Sequence, residues 1–156
     1  VQWTQLLEKA KNYLKHDDLS QAMQCYENAI TMRPDISDIY YSKGLLEFRI
    51  GHFDSAIKDL DVAIQLEPLY TEAINERILA RIKKYAALNS NKKKKHDDNR
   101  SDEDREMPSD EKDKLCYDLD TIRHLQEQDH GIHLNLLVFG LTESIIMQKI
   151  EKQYCK

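Results

Sequence analysis

Over the first 88 positions, apolar residues follow a helical rhythm that is broken and restarted at regular intervals. Leu6, Ala10, Tyr13 and Leu14 recur at steps of one to four, the polar run His16-Asp17-Asp18 interrupts them, and Leu19, Ala22, Met23, Tyr26, Ala29 and Ile30 resume the stripe. A stripe, a break and a second stripe predict two amphipathic helices folded back on each other. The layout returns from about Ser37 to Ile50 and from about Phe53 to Leu66, with Gly51 supplying a left-handed residue between the helices and Pro68 ending the unit. Ser37 and Thr71 stand at matching places after Pro34 and Pro68, where a hydroxyl can cap the following helix. A fifth helix is expected from Thr71 to about Leu88, with Ile74, Ile78, Ile82 and Tyr85 on one side.

The two hairpins are copies of one unit. A shift of 34 residues lays Lys9 on Lys43, Ala22 on Ala56, Ala29 on Ala63, Ile30 on Ile64 and Pro34 on Pro68. The same shift sets Ala10 against Gly44 and Tyr26 against Leu60, small opposite small and bulky opposite bulky. A period of this length marks stacked helical hairpins. Such units bury their apolar faces only against neighbours, and the stacked surface serves to bind something else.

Beyond the repeats the composition changes. Between Asn89 and Asp113, 16 of 25 residues are charged and Met107 is the single large apolar one, a mixture that cannot repay its ordering entropy. Residues 89 to 113 therefore read as a disordered charged linker. After it, Leu115, Leu119, Ile122 and Leu125 form one helical stripe, and a second helix is expected from about Leu134 to Gln153. The pair would either dock on the repeats, covering their last open face, or act as a separate interaction element.

The remaining features narrow the function by exclusion. A formal charge of −5 is too small to steer the chain over long range toward nucleic acid or membrane. The run Lys92 to Lys95 gives nucleic acid only a minor claim, since acidic residues follow at once and no aromatics interleave for base stacking. The longest apolar stretch, Leu134 to Leu141, contains Asn135 and falls far short of the roughly 20 residues a membrane helix needs. Cys25, Cys116 and Cys155 are odd in number and widely spaced, which argues against a disulfide framework and for a reducing compartment. The cytoplasm is the default location by exclusion, with the nucleus as the alternative. The chain opens at Val1 in helix-like sequence, as an excised fragment would.

No GxSxG motif or glycine-rich phosphate loop is present. His124, Asp129, His130 and His133, with Cys116 upstream, lack the paired ligand spacing of a metal centre. The expectation is a non-enzyme with no catalytic residues, no metal and no cofactor.

The spacing together with these residue types resembles the tetratricopeptide repeat (TPR) family, with repeats at 3–36 and 37–70 and a capping helix at 71–88. The resemblance implies an all-α helical-hairpin solenoid, a right-handed superhelix, in which the first helix of each hairpin lines a concave groove for a peptide or helix of another protein. Mapped by repeat position, that groove presents Leu7, Lys11 and Lys15 from the first helix, and Asp38, Tyr41, Leu45 and Arg49 from the third. The fifth contributes Glu72, Asn75, Glu76 and Leu79. Where chaperone-binding members of the family carry a clamp for a terminal carboxylate, this chain has Leu7, Lys11, Ser42, Glu72 and Glu76. Two of the cationic places hold carboxylates, so the resemblance implies an adaptor that binds a basic or mixed-charge segment and is not a chaperone clamp. The alternative it leaves open is a structural spacer or self-association module cut from a longer array.

Overall fold

A computed structural model of the chain describes residues 2–93, 107–128, 152, 153 and 155. Six helices and no strand occur among them: α1 (Gln2–Lys15), α2 (Leu19–Met32), α3 (Ser37–Ile50), α4 (Phe53–Leu66), α5 (Thr71–Lys93) and α6 (Ser109–Gln128). They divide into two compact units, Val1–Ala80 and Arg81–Lys156. The helix expected from Leu134 to Gln153 lies almost wholly outside the described residues.

In the first unit α1 packs on α2 and α3 on α4, with α2 also lying against α3. Both hairpins turn by the same device at places one repeat apart. Asp17 takes the left-handed region at φ 59° and Gly51 takes it at φ 92°. The next amide then bonds back into the helix just ended, Asp18 N–H to Tyr13 O at 2.9 Å and His52 N–H to Glu47 O at 2.9 Å. Asp tolerates this backbone better than most residues, but glycine adopts it without a Cβ penalty. Gly51→Ala is therefore expected to destabilise the unit by about 1–2 kcal/mol, read from urea denaturation.

Helix starts are less uniform. Asp18 caps α2, its carboxylate accepting from Gln21 N–H at 3.1 Å. Ser37 does not cap α3 as the sequence suggested: Ile36 occupies the cap position without a side-chain bond. The Ser37 hydroxyl instead donates to Glu67 Oε2 at 2.9 Å, tying the start of the second repeat to its end. Thr71 likewise turns its hydroxyl back to Leu69 O at 3.3 Å.

Small residues set the helix spacing. Ala10, Ala22 and Ala29 share one core cluster with Cys25, Tyr26, Ile39 and Leu46, against which Trp3, Leu6 and Leu7 pack. Leu60, Ala63 and Ala73 form another, flanked by Tyr40, Tyr41, Ile64 and Tyr70. Cys25 is a buried free thiol and part of this packing.

In the second unit Leu115, Leu119 and Ile122 are buried as their stripe predicted, and Met107 is buried with them. Helix occupies 89–93 and 109–113, the two edges of the stretch that composition marked as a disordered linker. An ion pair lies inside this unit. Arg81 Nη1 donates to Asp118 Oδ2 at 2.5 Å, with Glu111 Oε2 at 3.5 Å from Arg81 Nε. Cys116 is joined to Cys155 by a disulfide across 39 positions. The sequence argument against a disulfide is corrected by this pair, since wide spacing does not prevent two cysteines from meeting in the fold.

Candidate functional site

Three helices of the first unit run in the same direction, as two contacts show. Arg49, in the last turn of α3, reaches Asp17 just beyond the end of α1 at 3.0 Å. Tyr70, just before α5, donates its hydroxyl to Asp38 in the first turn of α3 at 2.7 Å. All eleven residues assigned to the groove are exposed or half-buried, and none belongs to the buried core. Leu7 and Tyr41 are already partly committed inward, each packing against a core cluster.

At the C-terminal ends of α1 and α3 the face opens into a cavity of about 210 Å³ lined by Leu14, Tyr26, Ser42, Leu45, Leu46 and Arg49. Its walls are mostly apolar. Tyr26 is buried, and burial pushes its phenol above the usual range. Lys11 and Lys15 belong to the same end of α1, with Lys11 Nζ held by Glu8 Oε1 at 2.8 Å.

At the N-terminal ends of α3 and α5 the surface has the opposite character. The rings of Tyr41 and Tyr70 stack with centroids 4.9 Å apart and planes tilted by 39°. Burial raises the Tyr41 hydroxyl, and the nearby charges of Glu76 and Glu72 raise it further. Burial is also the main cause of the raised Tyr70 hydroxyl, followed by its bond to Asp38 and the charges of Asp38 and Glu72. Carboxylates thus crowd an aromatic pair here. Asn75 is half-buried and Leu79 exposed, so α5 continues the face away from this cluster.

The structure therefore brings Asp38, Tyr41, Glu72 and Glu76 into one group, and Leu45 with Arg49 into another. Sequence reasoning missed Tyr70, which lies in the turn after Pro68 and not on a groove helix, although its repeat equivalent Ile36 is also apolar. It also missed Leu14, Tyr26 and Leu46 as cavity walls, because a wall drawn from three helices has no local signature. Cys116, considered above as a metal ligand, is taken up by its disulfide, and no group able to hold a metal ion occurs among the described residues. Asp129, His130 and His133 lie outside them. No helix among the described residues is long and apolar enough to cross a membrane.

Comparison with known proteins agrees with this architecture. The tetratricopeptide repeat family model matches residues 6–36 and 37–68. A human relative, small glutamine-rich tetratricopeptide repeat-containing protein beta, is 30% identical over 57 residues, which is 36% of this chain and 19% of the relative. The chain thus spans under a fifth of that protein. Among solved structures, the first TPR of Spaghetti (RPAP3) bound to the HSP90 peptide SRMEEVD superposes with a TM-score of 0.65 at 17% identity, covering 99% of this chain and 97% of that one. The TPR2B domain in the pHsp70 complex of yeast Sti1 gives 0.64 at 17% identity, covering 97% and 98%. At these identities the likeness concerns the fold. The family model is in register on both hairpins, so residues 6–36 and 37–68 match the tetratricopeptide repeat, and the solved TPR domains share the fold.

Proposed function

We propose that this protein is a non-catalytic adaptor whose α1, α3 and the start of α5 hold a peptide or helix of another protein. The observation that carries this reading is the apolar cavity at Leu14, Tyr26, Leu45 and Leu46, opening on the helix face that the family uses as a receptor. Two structurally similar TPR domains hold partner segments, one an HSP90 peptide and one pHsp70.

The adaptor differs from a receptor for acidic chain ends. The places that would grip a terminal carboxylate hold Leu7, Lys11, Ser42, Glu72 and Glu76. Carboxylates at two of them repel a tail such as SRMEEVD and offer no bidentate donors. A basic or mixed-charge segment fits instead. A cytoplasmic location goes with this reading, and the Cys116–Cys155 bond is the feature that argues against it.

The test is affinity capture from cell extract with the full chain, comparing wild type with Leu45→Lys, which puts a charged stem into the cavity. At least one captured protein should be lost with the variant, and a peptide from it should bind wild type at least about tenfold more tightly, the cost of one hot-spot anchor. Identical recovery from both proteins would sink the adaptor reading.

A further inference from the structure

The face on α1, α3 and α5 is polarised along its length, and this polarity says more about the partner than a groove does. One end is an apolar cavity beside Arg49 and the C-terminal turn of α1. The other is the Tyr41–Tyr70 stack surrounded by Asp38, Glu72 and Glu76. Helix dipoles favour acids in first turns, and this accounts for Asp38 and Glu72. It does not account for Glu76, one turn further along α5, or for two tyrosine rings placed among carboxylates. A ring face carries negative potential and attracts a cation, and neighbouring carboxylates add to that attraction.

We propose, resting on the adaptor reading, that the occupant is an extended peptide with one large apolar side chain in the cavity and one Lys or Arg on the Tyr41–Tyr70 shelf, about three residues apart. The spacing follows from α3, which carries parts of both subsites. Cavity residues Ser42, Leu45, Leu46 and Arg49 are centred about six positions after Asp38 and Tyr41, which is about 9 Å along a helix. An extended chain in the polyproline II conformation covers that distance in about three residues and turns side chains three apart to the same face. The shelf takes the cation in place of the carboxylate that a clamp would take, because Glu72 and Glu76 stand where that clamp would carry positive charge.

The experiment is selection of a random peptide display library on the full chain, on Glu72→Lys/Glu76→Lys, on the neutral Glu72→Gln/Glu76→Gln, and on Leu45→Lys. Helix content and thermal midpoint of each variant are checked first. Peptides enriched on wild type should carry an apolar residue and a Lys or Arg about three positions apart, and replacing that cation by Glu should weaken binding roughly tenfold. The neutral variant should lose the preference and the lysine variant should reverse it. Enriched peptides with neutral or acidic residues at that spacing, or an unchanged cation preference on the lysine variant, would overturn the shelf and leave the groove intact. The same enriched set on Leu45→Lys as on wild type, or no enrichment over a blank surface, would overturn the groove itself and the shelf with it.

Discussion

Asp118→Ala is expected to destabilise the second unit by about 3–5 kcal/mol, among the largest effects of any single substitution in this chain. Asp118 and Arg81 are 1% and 4% exposed, so removing the carboxylate leaves a guanidinium sealed from water. Its remaining neighbour, Glu111 Oε2, is 3.5 Å from Nε, and Nε makes no hydrogen bond. The penalty is that of a buried charge left with one long ionic contact, not the net worth of the pair. Replacing both partners by apolar residues, as in Arg81→Met/Asp118→Leu, should therefore restore most of the lost stability. Urea denaturation of the full chain, with hydrogen exchange followed over residues 81–87 and 109–125, separates the cases. A single variant within 1 kcal/mol of wild type would mean that water reaches Arg81 in solution.

Nothing in the sequence near Arg81 marks it for burial. It sits among basic residues before a charged stretch, and its partner is 37 positions away. Asp118 interrupts an apolar stripe, yet a carboxylate beside a stripe normally lies at its solvated margin. The Cys116–Cys155 bond was hidden for the same reason, since pairing depends on where the fold brings two Cβ atoms. The hairpins were legible because their signals are local and occur twice: helical spacing, a break at His16-Asp17-Asp18 and again at Gly51, and alanine or glycine where helices meet. Helix reaches residues 89–93 and 109–113, at the edges of the charged stretch, because a helix propagates cheaply once nucleated. Helix α6 also starts well, with Pro108 O accepting from the Glu111 and Lys112 amides and two acids in its first turn. Within the site, repeat position picked out the outward residues of the groove helices. It could not find Tyr70 in a turn or the cavity floor under Tyr26, which depend on how three helices meet.

The second large effect concerns Leu60, which is fully buried and belongs to the core with Ala63 and Ala73. Leu60→Ala should cost about 2–5 kcal/mol, the transfer of the lost methyl groups plus the cavity they leave. Its contact with Gly44 makes the prediction sharper. A Cβ at Gly44 would lie 3.0 Å from Leu60 Cγ, 3.3 Å from its Cδ2 and 3.4 Å from Ala56 O. In the wild-type background, Gly44→Ala gains about 1 kcal/mol of helix propensity but must displace the fully buried Leu60 side chain. In the Leu60→Ala background the obstruction is gone and the added methyl occupies part of the space, so the same change should stabilise. The two substitutions are thus expected to couple by about 1–2 kcal/mol in a double-mutant cycle read from urea denaturation. The first repeat already holds the alternative solution, with Ala10 at the Gly44 position and Tyr26 at the Leu60 position of one core cluster. Additive effects would mean that Leu60 moves aside without cost, and that Gly44 is small for some reason other than the closeness of α3 and α4.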